Sequence, residues 1–173
     1  MGMNMIFTIF AFVFFGTLLV FNSNLIVNSL TLASENEVSL IAISEAQSVI
    51  DEAKEKSFDE NTLSVEAPDS QAFSGTLGRE GGETFPFPLD TLSSTGFRSS
   101  VNFDDVDDYN GYKRLVKASS GGGGDTVSVA VQYVSVSNPN TPAVGRTYAK
   151  KMLVTVKSPF LNQAYNLSYL FTY

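Results

Sequence analysis

Residues 35–60 read ENEVSLIAISEAQSVIDEAKEKSFDE, and their periodicity decides the fold. Val38, Ala42, Ala46, Val49 and Ala53 recur at spacings of three and four, Ile41, Ile43 and Ile50 widen that stripe, and acids fill the opposite side. Such a period predicts an amphipathic helix with one face reserved for a packed body. No Gly or Pro interrupts the chain from Thr17 to Ala67, so nothing local stops the helix from continuing toward the N-terminus.

In that direction the sequence changes character. MGMNMIFTIFAFVFFGTLLVF (1–21) is apolar nearly all round, with Phe7, Phe10, Phe12, Phe14, Phe15 and Phe21 distributed over every helical face. A helix that is apolar on all sides belongs in a bilayer or inside a protein assembly. Met5, Ile6, Leu18 and Leu19 join those phenylalanines as the candidate assembly core. Met5 to Phe21 is the short end of a membrane span, and Leu25–Leu32 extends it. A cleaved secretory signal is the competing reading. It calls for a basic n-region and a small-residue cleavage site; no Lys or Arg precedes the apolar run, and TLAS (31–34) lies far beyond it. The combined helix is predicted to run for some 50 residues, about 75–80 Å. Gly16 and the Asn22-Ser23-Asn24 cluster are its weak points.

Charge follows the same division. The first 34 residues carry no charged side chain, Glu35–Asp69 holds ten acids against Lys54 and Lys56, and the remainder is close to neutral. The chain therefore divides into an uncharged helix (1–34), an acidic amphipathic continuation (35–62), a Ser/Gly/Pro-rich loop region (63–102) and a head (103–173). The 173 residues include no His, no Cys and no Trp. This removes the commonest general base, the thiol nucleophile and the usual zinc ligands, so the chain is not expected to be an enzyme.

Toward the C-terminus, TVSVAVQY (126–133), KKMLVTVKSP (150–159) and YNLSYLFTY (165–173) each alternate apolar and polar residues. Three period-2 runs joined by short Asn/Pro/Gly-containing loops predict an antiparallel sheet with one buried face. The amphipathic half of the helix is the natural body to cover it. The fold class is then α+β, a long helical spine with a sheet packed on its second half. Residues 64–100, including GREGGE and FPFPLD, read as a surface loop with one short strand at most, since prolines two apart exclude a central strand.

FDDVDDYNGY (103–112) gathers four acids in five positions. An EF-hand loop would place acids at positions one, three and five before its glycine; with Gly111 in that role the first ligand falls on Val106. Calcium in another geometry remains open, through Asp104, Asp105, Asp107 and Asp108, and is the one cofactor these residues suggest. The structural reading is a capped turn pinned by Phe103, Val106 and Tyr109, with the acids facing solvent or capping and Asn110-Gly111 as the left-handed exit. Arg98, Lys113, Arg114 and Lys117 are at hand to offset the charge. Paired-carboxylate catalysis needs a fixed separation within a cleft, and nothing in the sequence provides one. SSGGGGD (119–125) lacks the lysine of a phosphate loop and precedes a strand, so it reads as a flexible loop, as does GREGGE. Arg146 and Lys150-Lys151 are too few to make a nucleic-acid surface on an acidic chain.

Three stretches, FDDVDDYNGY, the lysine-led strand KKMLVTVKSP and the aromatic-ended LSYLFTY, together with AISEAQSVIDEAKEKSFDE, resemble minor pilins of the mannose-sensitive haemagglutinin pilus (the MshD type) within the type IV pilin and pseudopilin superfamily. The resemblance covers roughly residues 35–60 and 100–173. It implies a structural subunit held in the bacterial inner membrane before assembly and then in an extracellular filament. Its partners would be copies of itself or homologous pilins, with no nucleic acid. The same resemblance marks Gly2-Met3 as a possible processing junction, although no basic residue precedes it, and it puts Phe7 where the family carries a glutamate. That difference fits a tip or initiating subunit, a filament with different core chemistry, or a chain whose start lies upstream. The acidic stalk is expected to meet Lys150, Lys151 or Lys157 on adjacent heads. Two other roles stay open. One is a minor pilin or pseudopilin that primes or caps a pilus or a type II secretion pseudopilus; the other is a single-pass membrane-anchored adhesion module that never polymerises.

Overall fold

The computed structural model describes residues 2–83, 89–94, 96–117 and 123–173. It opens with helix α1 (Gly2–Lys54) and divides into two compact units, Met1–Val38 and Ser39–Tyr173.

The first unit is the apolar part of α1. Its side chains are exposed from Gly2 to Glu37, including the large ones at Phe7, Phe10, Phe12, Phe14, Phe15 and Phe21, each more than 60% accessible. By length and composition this helix is compatible with a membrane anchor. Its polar side chains fold back onto carbonyls one turn earlier: Thr8 Oγ1 donates to Asn4 O (2.8 Å), Thr17 Oγ1 to Phe14 O (2.8 Å), Asn22 Nδ2 to Leu18 O (2.9 Å) and Thr31 Oγ1 to Val27 O (3.0 Å). A hydroxyl or amide satisfied in this way can be taken out of water at much reduced cost. Helix geometry is therefore kept through Asn22–Asn24, where local propensity is weakest.

The second unit is built on the remaining turns of α1. Ala42, Ala46, Val49, Ile50 and Ala53 are buried, which is the predicted stripe with its edge trimmed: Val38 is half-buried, and Ile41 and Ile43 are exposed. Three of the five buried positions are alanines, and so small a side chain lets the sheet come close. The helix ends at Lys54, short of the expected end at Thr62. Beyond it Ser57 N donates to Asp104 O (3.0 Å), and Val106 N donates to Ser57 O (3.0 Å), so the backbone leaves helical pairing to bridge the 103–112 stretch.

Among the described residues five strands follow in the order β1-β2-β3-β4-β5: β1 (Asp90–Thr91), β2 (Lys113–Lys117), β3 (Gly124–Tyr133), β4 (Ala149–Lys157) and β5 (Tyr165–Thr172). Only β1 pairs in parallel, with β2; the rest are antiparallel neighbours. The last three are the predicted alternating runs. In register, Val127 faces Val156, Val129 faces Val154 and Val131 faces Met152, so each cross-strand pair adds to one apolar surface. That surface meets the alanine stripe of α1 in a single core. Strand β5 is less buried than its alternation predicts: Phe171 is buried, Tyr165 and Leu167 are half-buried, and Tyr169 is exposed. Among the described residues it is an edge strand of the sheet. Helix α2 (Arg98–Asn102) and the expected short strand, β1, come from the loop region. The prolines of FPFPLD and most of SSGGGGD lie outside the described residues.

Candidate functional site

The 103–112 stretch lies where the end of α1, the loop region and the sheet meet. It folds as a reciprocally capped turn. Asp105 Oδ1 accepts from Asp107 N (2.8 Å) and Asp108 N (3.2 Å), while Asp108 Oδ2 accepts from Asp104 N (3.1 Å) and Asp105 N (3.3 Å). Each carboxylate thus serves amides left free at the far end of a single 3-10 turn, Asp107–Tyr109. Gly111 follows at φ +77°, a backbone conformation that a side chain would strain, which is why the turn exits on Asn-Gly. Asn110 bridges outward, donating Nδ2 to Leu77 O (3.1 Å) and accepting from Val131 N (3.1 Å).

Phe103, Val106 and Tyr109 pin the turn as the spacing predicts, and Tyr112 adds to them. The rings of Phe103, Tyr109 and Tyr112 pack edge-to-face, with centroids 4.9–5.8 Å apart. Tyr109 donates its hydroxyl to Glu52 Oε1 (2.8 Å) and Tyr112 to Asp90 Oδ2 (2.9 Å). Asp90 also accepts from Arg98 N and Ser99 N at the start of α2. Burial, reinforced by the acid beside each, pushes both phenols far above their ordinary range, so they act as donors and remain neutral.

Asp105 and Asp108 cap the turn and Asp104 faces solvent, as expected; Asp107 does neither. Asp105, Asp107 and Asp108 are buried, so the turn directs them inward instead of toward solvent. Their chief counter-charge is none of the four nearby bases; it is Lys150 on β4. Lys150 is wholly buried and donates to Phe58 O (2.6 Å), to Asp59 Oδ2 (2.9 Å) and to Asp107 Oδ1. The rings of Phe58 and Tyr133 lie 4.6 and 5.4 Å from the ammonium. Asp59 also accepts from Ser74 N (2.9 Å), Asn61 N (3.2 Å) and Tyr133 Oη (3.1 Å). Burial alone would raise the Asp59 carboxyl, but Lys150 and the backbone amides of Ser74 and Asn61 together hold it below the usual range. Asp107 is raised by burial in spite of Lys150. A lysine so enclosed is not available to the stalk of an adjacent subunit, which corrects the expected stalk contact at Lys150. Arg114, also buried, serves Glu52 (3.4 Å) and the carbonyl of Glu45 (3.2 Å) instead of the turn.

The four predicted calcium ligands do not converge on one another. Asp104 joins Glu60 and Glu83, and Asp108 joins Glu80 and Glu83, each trio presenting carboxylate oxygens within 4.8 Å of one another. Asp105 and Asp107 belong to neither trio. Glu83 is the shared member and is almost fully buried. It is held by a tight turn in which Glu83 N donates to Glu80 O (3.1 Å) and Glu80 N donates to Glu83 Oε2 (2.9 Å). GREGGE is therefore a structured element at this site, not the flexible loop expected. Burial and the neighbouring acids push Asp105 up to about 9, burial and Glu83 push Asp108 up to about 8, and burial and Glu83 push Glu80 up to about 7. Glu83 moves the other way. Burial opposes its charge, but protonated Asp108 and the Glu80 amide hydrogen-bond to it. Without a cation these acids coexist by sharing protons.

The candidate assembly-core residues Met5, Ile6, Phe7, Phe10, Phe12, Phe14, Phe15, Leu18, Leu19 and Phe21 are exposed on the first unit, as are Gly2 and Met3. Glu60, Glu80, Glu83 and Asp59 were not singled out by sequence, because no local pattern reports that the chain brings residues 60, 80–83 and 104–108 together. Comparison of the chain with protein-family models, with curated proteins and with solved structures gives no match.

Proposed function

We propose that this chain is a structural subunit of an extracellular filament of the type IV pilus kind, anchored in the inner membrane by its apolar helix before it assembles. The observation that carries this reading is the first unit: a helix without charge before Glu35, apolar on every face, with its large side chains exposed. A stable soluble monomer does not present such a surface. A bilayer and a bundle of like helices impose the same requirement, because an unpaired charge in either costs several kcal/mol. The backbone-directed Thr and Asn side chains suit both environments. Gly16 leaves a shallow depression lined by Val13, Thr17, Val20, Phe21 and Asn24, against which a neighbouring helix fits.

The head contributes a folded α+β body to the subunit. Filament contacts made by its lysines would run through exposed Lys157 and half-buried Lys151, since Lys150 is enclosed. Negative-stain microscopy of material sheared from cells, with mass spectrometry of the same fraction, tests the proposal. Abundant filaments composed of this chain are the expected result. Trace amounts within filaments of another subunit would favour a priming or capping role. Recovery solely as monomer from detergent-solubilised membranes would contradict assembly.

A further inference from the structure

We propose that Lys150 and Asp107 condense into an isopeptide bond, a side-chain amide joining Nζ to Cγ with loss of one water, and that Asp59 and Asp105 carry the protons. Lys150 Nζ donates to Asp107 Oδ1, and both side chains are shut off from solvent. A nitrogen in hydrogen-bond contact with one carboxyl oxygen stands close to the ~3–3.5 Å from the carboxyl carbon at which reacting atoms meet. A lysine amine held there is a nucleophile once it gives up a proton. The acceptor is in place, since Asp59 Oδ2 lies 2.9 Å from the same nitrogen.

The two carboxyls that touch Lys150 are not equivalent. Asp59 also accepts from Asn61 N, Ser74 N, Ser74 Oγ and Tyr133 Oη, so its negative charge is well met by the protein and it suits the base. Asp107 instead shares a hydrogen bond with the carboxyl of Asp105, and two carboxyls pair in this way only with a proton between them. That proton draws electrons from the Asp107 carboxyl and equips its oxygen to leave.

The balance closes within the cluster. One ammonium proton passes to Asp59, and the freed amine attacks Asp107 Cγ, forming the C–N bond as a C–O bond breaks. The departing oxygen takes the Asp105 proton and a second proton from the nitrogen and leaves as water. Asp105 is reprotonated at the expense of Asp59, so both acids end as they began. The rings of Phe58 and Tyr133, 4.6 and 5.4 Å from the ammonium, keep out the water that would reverse the step. Two buried charges become one neutral amide, which relieves their desolvation cost. The bond clips β4 to the acidic turn across 43 positions of sequence, in a chain with no cysteine to form a disulfide. This inference concerns the head alone and does not depend on filament assembly.

The test is mass spectrometry of the full chain purified in a neutral detergent and then digested. The peptides that contain Asp107 and Lys150 should appear as one branched species, lighter than their sum by one water and stable to reducing agent. Lys150→Met and Asp107→Ala should each abolish that species. Asp59→Asn should slow its appearance in freshly made chain by about 100-fold or more, through loss of the base. Lys151→Met, at the neighbouring half-buried lysine, should leave it unchanged. The tyrosine near-ultraviolet dichroism of each variant reports whether its head is folded. Should the cluster variants unfold, the wild type decides by itself, because fragmentation of the branched peptide locates the link. The proposal is overturned by separate peptides of full mass from the folded wild type, by a loss of water confined to one unbranched peptide, or by a branch at Asp59 in place of Asp107.

Discussion

Lys150 is the residue on which the head turns. Its three ammonium hydrogens go to the Phe58 carbonyl, Asp59 and Asp107, joining the end of α1, the acidic turn and β4 at one enclosed point. Removing one member of a buried ionic cluster strands the others. Lys150→Met should therefore destabilise the head by about 3–5 kcal/mol, measured by urea unfolding followed through tyrosine dichroism. Adding Asp59→Asn and Asp107→Asn should recover part of that loss. A single variant as stable as the wild type would mean that the cluster is not closed as described. The sequence did carry a signal for this residue. The alternation that placed Met152, Val154 and Val156 on the buried face extends back to Lys150, and the pattern itself pointed the lysine inward. What concealed it was the general expectation that lysines mark strand ends. The inward acids were hidden for a different reason: nothing within FDDVDDYNGY reveals a counter-charge that lies some forty residues away.

At the scale of elements, the helix and the three long strands were legible because period 3.6 and period 2 are imposed by backbone geometry and read directly from residue order. Strand β2 was not, and β1 was expected only as an unplaced short strand in the loop region. Asp90–Thr91 is too short to show a period, and KRLVK carries charge on both sides of its apolar pair. The end of α1 was misplaced because helix propensity continues past Lys54 while tertiary pairing of Ser57 with Asp104 and Val106 takes over. The alanine stripe of α1 fixes how closely helix and sheet approach. Ala46 is almost completely buried against the core, so Ala46→Leu should cost about 1–3 kcal/mol by overpacking, read from the same urea titration. The same change at Ile43, which is exposed, should be nearly neutral. Equal effects at the two positions would show that the helix does not pack through the face described.

For the whole molecule, the division of charge is the feature that organises everything else. An uncharged, all-round apolar helix and a folded α+β head sit in one chain, and the boundary between the two compact units lies near the first charged residues. The α+β class was readable from pattern alone, whereas the role of the exposed helix is a matter of what surrounds it. The absence of cysteine makes that directly measurable, since any introduced thiol is the only one. The decisive measurement is disulfide cross-linking of Phe12→Cys, a fully apolar position on the exposed helix, in intact cells and in sheared surface material. The account predicts helix-to-helix cross-linked species that pellet with surface filaments, and an uncross-linked pool retained in the inner membrane. A protein found only as a soluble species or only as membrane monomer, with no cross-link through this helix, would contradict it.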